Sequence, residues 1–295
     1  MVRPLPAIRR EPDAVVEPRG DVAGLAAMVA AGGAVVLSGA GLSTESGIPD
    51  YRGPTGSRRR HAPMTYDAFV GDPAARHRYW ARSHVGWRQI DRARPNAGHR
   101  AVTTLQRAGL LHGVITQNVD GLHQAAGTRD VVELHGALDR VTCLGCGALH
   151  PRAAVAERLR TLNPSFDDAA AAAVAVNPDG DAELPDAVLD GFVMTACPTC
   201  GDGPLKPDVV FFGETVPRPR VQRCHDLVAG ARSLVVLGSS LSVMSGLRFV
   251  RAAHRAGTPV GIVATGPTRA ETEATVRLAA PLGEVLGELV DLLRC

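Results

Sequence analysis

The most constraining feature of this sequence is a set of short apolar runs, each followed at once by glycine or by polar residues. The runs cover residues 34–38, 113–116, 233–237 and 259–264. Runs this short, without polar alternation, are typical of strands buried on both faces of a parallel sheet. Helical stretches separate them, which predicts an α/β fold: a Rossmann-like parallel sheet with helices on both faces.

Capping signals and composition divide the chain further. Asp21 is a suitable N-cap for a helix through residue 31, and Gly32 and Gly33 end it. Other helices are predicted over residues 73–91, 97–108 and 245–256, and in the alanine run 169–173. Residues 1–20 are rich in proline and charge and are expected to form a loose arm. The sheet domain is assigned residues 21–139 and 207–295, with an inserted module at 140–206.

Two Cys-x-x-Cys pairs flank the inserted module. Two-residue gaps let two thiolates hold one tetrahedral ion, so the pairs predict a single structural zinc. The fifty residues between the pairs exceed the length of a compact zinc ribbon. Free thiols or a redox pair are the alternative. The predicted ligands are Cys143, Cys146, Cys197 and Cys200.

Bulk composition excludes several classes of function. The chain has 295 residues, with 32 Lys plus Arg against 30 Asp plus Glu, a net charge of +2. This balance gives no electrostatic case for binding nucleic acid or an anionic membrane. No apolar run approaches the roughly 20 residues of a membrane helix. Paired cysteines of the metal-binding type favour a reducing compartment, so a cytoplasmic location is expected.

Polar and glycine motifs follow the first two predicted strands. Gly39-Ala40-Gly41 is suited to a tight turn whose backbone N–H groups approach a pyrophosphate, although Thr44 stands where a third glycine is expected. A simple strand-to-loop turn is the alternative. The run 117–120, Gln-Asn-Val-Asp, offers amides and an acid at a strand's carboxyl end, where open α/β sheets bind ligands.

These motifs, taken in order, resemble the sirtuins, which are NAD-dependent protein-lysine deacylases, from about residue 33 to 268. The segment Gly47-Ile48-Pro49-Asp50-Tyr51-Arg52 and the dipeptide His135-Gly136 belong to the same pattern. The resemblance implies NAD and one structural zinc. It implies the following NAD-binding residues: Gly39, Ala40, Gly41, Ser43, Thr44, Ile48, Pro49, Asp50, Tyr51, Arg52, Gln117, Asn118, Val119, Asp120, Gly238, Ser239, Ser240, Ala264, Thr265, Gly266 and Leu282.

The resemblance also implies roles for individual side chains. Gln117 would bind ribose, Asn118 would orient sugar or water, and Asp120 would hold the nicotinamide amide. His135 would be the general base, because sirtuins carry it in a Leu-His-Gly context, and His123 is its competitor. Tyr51 stands where Phe is commoner.

The segments 206–214 and 238–243 match the first and second walls of the sirtuin peptide cleft, between which an acyl-lysine peptide would insert as a strand. Lys206, the only lysine of the chain, begins the first wall and stands where Arg is common. Ala264 stands where Asn is usual. The implied substrate-binding residues are Val209, Phe211, Phe212, Gly213, Glu214, Leu241 and Val243.

Several blocks look like class II sirtuins, among them residues 41–52, 78–82 and 207–213. The implied reaction is transfer of the acyl group from lysine to ADP-ribose, with release of nicotinamide. Acylated-lysine proteins or peptides are the expected partners, and the oligomeric state stays open. Two alternatives remain: NAD-dependent protein ADP-ribosyl transfer, and a non-enzymatic zinc module.

Overall fold

A six-stranded parallel sheet forms the centre of the computed structural model, which describes residues 17–50, 63–166, 177, 179–182 and 184–295. The spatial order of its strands is β3-β2-β1-β7-β8-β9, and every neighbouring pair is parallel. This is the strand order of a doubly wound sheet. From β1 the chain adds strands first toward one edge of the sheet and then, from β7 onward, toward the other edge. The strands are β1 (Ala34–Ser38), β2 (Leu111–Thr116), β3 (Val131–Glu133), β7 (Ser233–Leu237), β8 (Val260–Val263) and β9 (Val276–Leu278).

Helices cover both faces of this sheet, so the predicted fold class is confirmed. One face carries α1 (Val22–Ala30), α4 (Ala97–Arg107) and α10 (Leu282–Leu293), which pack on one another. The other face carries α8 (Arg218–Ala229) and α9 (Met244–Arg255). Strands β1 and β7 are buried at every residue, which explains why their sequences show no polar alternation.

A three-stranded antiparallel sheet, in the order β5-β4-β6, forms a second unit between β3 and β7. Its strands are β4 (Gly136–Cys143), β5 (Leu149–Pro151) and β6 (Leu205–Val209). The predicted module boundaries at residues 140 and 206 fall inside β4 and β6. Both strands therefore run continuously from the module to the edge of the main sheet.

Short and long helices pack around the second sheet. Helices α2 (Tyr66–Gly71) and α3 (Pro73–Arg92) share a buried apolar cluster with the module's own α6 (Arg152–Leu162) and α7 (Asp186–Leu189). The remaining short helix, α5 (Leu122–Ala125), follows β2. The helix predicted for the alanine run 169–173 lies outside the described residues.

A buried arginine joins the module to α3. The Arg152 guanidinium carbon lies 5.1 Å from the ring centroid of Trp80 and 5.2 Å from that of Trp87. Its Nη2 donates to the Ser83 carbonyl oxygen at 3.1 Å. Stacking on aromatic rings compensates part of the cost of burying a guanidinium. The module is therefore fastened to α3 by a specific polar contact as well as by apolar packing.

The end of the predicted N-terminal arm is paired with the sheet. Arg19 exchanges backbone hydrogen bonds with Arg277 of β9, and its Nη1 donates to the Ala274 carbonyl oxygen at 2.5 Å. Residues 1–16 lie outside the described part of the chain. Within that described part, no helix has both the length and the apolar character needed to cross a membrane.

Candidate active site

The glycine loops after β1 and β7 meet where the strand order reverses. The Gly41 N–H donates to the Gly238 carbonyl oxygen at 2.8 Å. A Cβ on Gly41 would lie 2.9 Å from Gly238 Cα, and Gly238 has a φ of +65°. Neither position therefore tolerates a side chain, and two exposed-backbone loops share the crevice where such sheets bind nucleotides.

Side-chain hydrogen bonds join the loops after β1 and β2 at this edge. Asn118 Nδ2 donates to the Gly39 carbonyl oxygen and to Ser43 Oγ, both at 3.0 Å. Ser43 Oγ donates to Asp120 Oδ2 at 2.7 Å, and the Leu122 N–H donates to Asp120 Oδ1 at 2.9 Å. Burial raises the pKa of Asp120, and these two donors oppose the rise. The predicted polar run and glycine loop are thus one connected network.

Gln117 extends the network to the loop after β7. Its Nε2 donates to Ser239 Oγ at 2.8 Å and to the Ser38 carbonyl oxygen at 3.2 Å. Polar side chains from three strand ends therefore converge on one crevice. This donor and acceptor set suits ribose hydroxyls and a carboxamide, so the residues fit the implied NAD.

His135 lies next to this network, between β3 and β4. Its Nδ1 is 3.0 Å from the Gln117 carbonyl oxygen, and its Nε2 is 2.8 Å from Ser245 Oγ. A carbonyl oxygen only accepts, so Nδ1 carries the hydrogen and Nε2 is the unprotonated, basic nitrogen. Burial lowers the pKa of His135; the Gln117 carbonyl opposes this, and Arg220 reinforces it. A neutral imidazole is the form a general base requires.

His123, the competing histidine, is packed inside the molecule. It is 1% exposed, and its Nε2 lies 2.9 Å from the hydroxyl of Ser38. Its ring meets that of His99 edge-on, with centroids 5.2 Å apart. Burial lowers the pKa of His123 to about 3 and that of His99 to about 4. These imidazoles are therefore neutral groups enclosed in the core.

We expect this buried pair to make the fold sensitive to acid. Both imidazoles bind protons at pH 6.5 and below when unfolded, but only near pH 4 and 3 when folded. Their stabilisation is therefore complete above pH 6.5 and is lost as the pH falls through the folded pKa values, by about 3 kcal/mol for His99 alone. Urea unfolding from pH 8 to pH 4 measures this slope.

Matched variants isolate the histidine contribution from acid release of zinc. His123→Asn should reduce the pH slope of the unfolding free energy relative to the parent chain. His254→Asn, which removes an exposed histidine, should leave the slope unchanged. Equal slopes in all three proteins would show that the buried pair does not control acid stability.

The predicted NAD-binding residues that follow β8 are distributed between a surface loop and the core. Ala264 is buried, Thr265 is exposed, and Gly266 lies between these extremes. Arg277, which the sequence analysis missed, donates to the carbonyl oxygens of Ala264 at 2.8 Å and of Gly266 at 2.6 Å. Its position inside an apolar strand sequence was the available signal.

The other predicted NAD residues are placed as follows. Thr44 Oγ1 donates to the Gly41 carbonyl oxygen at 2.9 Å, and Ile48 is 2% exposed. Leu282, the first residue of α10, is also buried and packs in the core between that helix and the sheet. Tyr51 and Arg52 lie outside the described residues. Ala40, Pro49, Asp50, Val119 and Ser240 are partly buried.

The two predicted cleft walls both reach His135. The Val210 N–H, from the first wall, donates to the His135 carbonyl oxygen at 2.8 Å. Ser245, two residues past the second wall, contacts the imidazole. Leu241 in the second wall has a φ of +52°, a conformation that non-glycine residues rarely adopt.

The predicted substrate-binding residues of the walls divide between the core and the surface. Phe211 packs edge-on against Phe69 and Tyr79, with centroid separations of 5.1 Å to each. Val209 and Leu241 are also buried, whereas Phe212, Gly213, Glu214 and Val243 are partly or fully exposed. Three of the seven therefore lie in the core.

The buried Lys206 side chain contacts three other residues of the first wall. Its Nζ lies 3.0 Å from Glu214 Oε2, 2.5 Å from the Val209 carbonyl oxygen and 4.6 Å from the Phe211 ring centroid. Burial lowers its pKa, and the Glu214 carboxylate opposes this. Glu214 Oε2 also accepts the Phe211 N–H at 2.8 Å.

We expect Lys206→Met to destabilise the fold by about 3 kcal/mol, because it leaves Glu214 without its cation. Chemical denaturation measures the effect. Adding Glu214→Gln should recover part of the loss. Arg160→Met, which breaks an exposed pair with Glu157, should cost less than about 0.5 kcal/mol. Equal effects of Lys206→Met and Arg160→Met would contradict a structural role for Lys206.

The four cysteines of the two pairs form one cluster, with all sulfur atoms within 4.8 Å of one another. Cys143 Sγ is 3.7 Å from Cys200 Sγ, and Cys146 Sγ is 3.8 Å from Cys197 Sγ. A tetrahedral ion with zinc–sulfur bonds of about 2.3 Å has sulfur–sulfur edges of roughly 3.8 Å. A Cβ on Gly203 would lie 2.3 Å from Cys143 Sγ. The cluster therefore fits a closed, structural zinc site.

Comparison with known proteins shows the family to which this chain is similar. The Sir2 family model matches residues 39–245. The NAD-dependent protein deacetylase 1 of Streptomyces coelicolor is 60% identical over 273 residues, covering 92% of this chain and 90% of that protein. The Corynebacterium efficiens protein of the same name is 49% identical over 271 residues, covering 92% and 96%.

A solved Sir2 structure with a p53 peptide and NAD+ superposes with a TM-score of 0.74 at 27% identity, covering 92% of this chain and 98% of that one. The family model spans well over half of the chain, and the relatives match it nearly end to end. The chain therefore belongs to the Sir2 family.

Proposed function

We infer that the chain carries out NAD-dependent protein deacetylation at the crevice between β1 and β7, with His135 as the general base. It is an NAD-dependent protein deacetylase, like the relatives that share up to 60% of its sequence. The observation that carries the assignment of the site is convergence. Two glycine loops, the Gln117–Asp120 run and one neutral histidine meet at a single strand-end crevice.

His135 Nε2 is the atom that we propose accepts the proton. Nδ1 is held by the Gln117 carbonyl, so the basic lone pair on Nε2 faces Ser245 and the crevice. NAD, when bound, supplies an electrophilic ribose carbon and the hydroxyl that must lose a proton. Gln117 orients that base through its backbone while its side chain reaches Ser239, so one residue links base and nucleotide loop.

Asp120 and Asn118 are proposed to position the nicotinamide half of the cofactor. Each Asp120 oxygen accepts one described hydrogen bond, from Ser43 or Leu122, and a carboxylate oxygen has room for a second. Asp120 can thus accept an amide N–H without losing its own support. Asn118 is locked by Gly39 and Ser43, which leaves its side-chain oxygen to accept from a sugar or water.

The peptide is proposed to bind as an added strand between the two walls. Both walls connect to His135, one through the Val210 amide and one through Ser245, so a peptide between them lies beside the base. Backbone pairing of this kind recognises shape more than sequence. The solved Sir2 complex with a p53 peptide and NAD+ supports a peptide substrate, and the deacetylase activity implies that its lysine is acetylated.

Membership of class II is a further proposal, resting on the blocks at residues 41–52, 78–82 and 207–213. The domain division of residues 21–139 and 207–295 around a module at 140–206 is likewise proposed. It is supported by the separate antiparallel sheet of β4, β5 and β6. The clustered thiols favour a reducing compartment, for which the cytoplasm is the proposed location.

Mass spectrometry of the purified protein with NAD and a panel of acyl-lysine peptides tests the function. Deacylated peptide together with O-acyl-ADP-ribose, both lost in His135→Ala, is the expected result and also reveals the preferred acyl group. ADP-ribose attached to protein, with nicotinamide released and no deacylated peptide, would replace this function by ADP-ribosyl transfer.

A further inference from the structure

Ser245 contacts the one atom of His135 on which the proposed chemistry depends. Its Oγ lies 2.8 Å from Nε2, and it belongs to α9, 110 residues from the histidine in sequence. Because Nδ1 carries the ring hydrogen, the Ser245 hydroxyl donates to the Nε2 lone pair. The serine is half-buried and sits in the first turn of its helix, where no carbonyl of a preceding helical turn competes for its hydroxyl.

The start of α9 is docked tightly against the end of β2. A Cβ added to the neighbouring Gly246 would lie 2.5 Å from Gln117 Oε1. The Gln117 carbonyl in turn holds the other nitrogen of His135. The imidazole is therefore fixed at both nitrogens, by β2 on one side and by the first turn of α9 on the other.

We propose that Ser245 is a positioning residue for the base. Its hydroxyl holds the imidazole toward the crevice and then yields Nε2 to the substrate hydroxyl. Nε2 has a single lone pair, so Ser245 and a ribose hydroxyl cannot both donate to it. When the ribose hydroxyl gives its proton to Nε2, the new N–H can donate to Ser245 Oγ, because a hydroxyl both donates and accepts. Ser245 thus supports both protonation states of His135.

This proposal rests on His135 being the base, and the test separates the two ideas. Ser245→Thr and Ser245→Val have nearly the same shape and the same β-branching, and they differ in the hydroxyl. We expect the threonine variant to retain kcat within about threefold, and the valine variant to lose about tenfold, which is the effect of one hydrogen bond. Ser245→Ala should behave like valine.

The division of the effect between kcat and KM separates a positioning role from a general disturbance of the site. KM for NAD and for peptide should stay within about twofold in all three variants, because the contact made by Ser245 is to His135 rather than to ligand. Met244→Ala, at an exposed neighbour in the same turn, should keep both constants and controls for disturbance of the helix start.

Three results would overturn the proposal. They are equal kcat for the threonine and valine variants, a rise in KM for NAD at unchanged kcat, and a threonine variant as slow as alanine. Full activity of His135→Ala would instead remove His135 as the base, on which this proposal rests, and would leave the deacetylase function standing. Thermal unfolding midpoints within a few degrees of the parent chain would show that every kinetic difference arises in folded protein.

Discussion

Replacing His135 by alanine should lower kcat/KM for deacetylation by about 100- to 10,000-fold, which is the usual contribution of a positioned general base. The physical reason is that the imidazole is neutral, and that its Nε2 atom carries the basic lone pair at the crevice. Steady-state kinetics with an acetyl-lysine peptide and saturating NAD measures the loss. His254→Ala, at an exposed position on α9, should leave the rate unchanged.

Binding of NAD should largely survive this change. The glycine loops and the side chains of Gln117 and Asp120 do not depend on the imidazole for their described contacts. We therefore expect the Kd for NAD, measured by calorimetry, to change by less than about fivefold. A loss of NAD binding equal to the loss of rate would contradict the role of His135 as a base and indicate a structural one.

Removing the zinc should have the second large effect. Structural zinc sites contribute about 10–16 kcal/mol of binding free energy in small peptides, and that energy stabilises the folded state. We expect Cys143→Ser or prolonged chelation to destabilise the module by at least about 5 kcal/mol. Calorimetry should show a transition lowered by about 10 °C or more. Metal analysis should show one zinc per chain before treatment and none after it.

Activity should fall together with the zinc. Strand β4 begins next to His135 and ends at Cys143, and β6 follows the second cysteine pair and forms part of the first cleft wall, so a disordered module displaces both. Cys295→Ser, at an exposed cysteine outside the cluster, should keep zinc, stability and rate. A zinc-free protein with unchanged unfolding and activity would show that the cluster has no structural role.

Much of the fold was predictable because its signals are local. The apolar runs at residues 34–38 and 233–237 coincide with β1 and β7, and the Asp21 cap precedes α1 as expected. The bounds of the other predicted elements that the structure describes differ by one or two residues, since helix and strand ends fray with little change in energy. Strands β3 and β9 and helices α8 and α10 were not predicted. Each Cys-x-x-Cys pair was readable from its spacing, because two-residue gaps place two thiolates on one ion.

The choice of the proposed base was less determined by local pattern. His123 and His135 both follow the polar run, and residue types alone do not separate them. The structure distinguishes them by position: His123 is enclosed with His99 and hydrogen-bonds Ser38, whereas His135 borders the crevice. Resemblance to a known pattern favoured His135, and the packing gives the physical ground for the same choice.

The sequence by itself determined the buried strands, the glycine loops and the two Cys-x-x-Cys pairs, because each depends on residues close together in the chain. Only the tertiary structure decided which distant groups meet. Examples are the two cysteine pairs in one cluster, Ser245 on His135 and the hydrogen bonds of Arg277 to the loop after β8. Contacts of this kind depend on how helices and loops dock after the sheet has formed, and no local preference of a serine or an arginine encodes its partner.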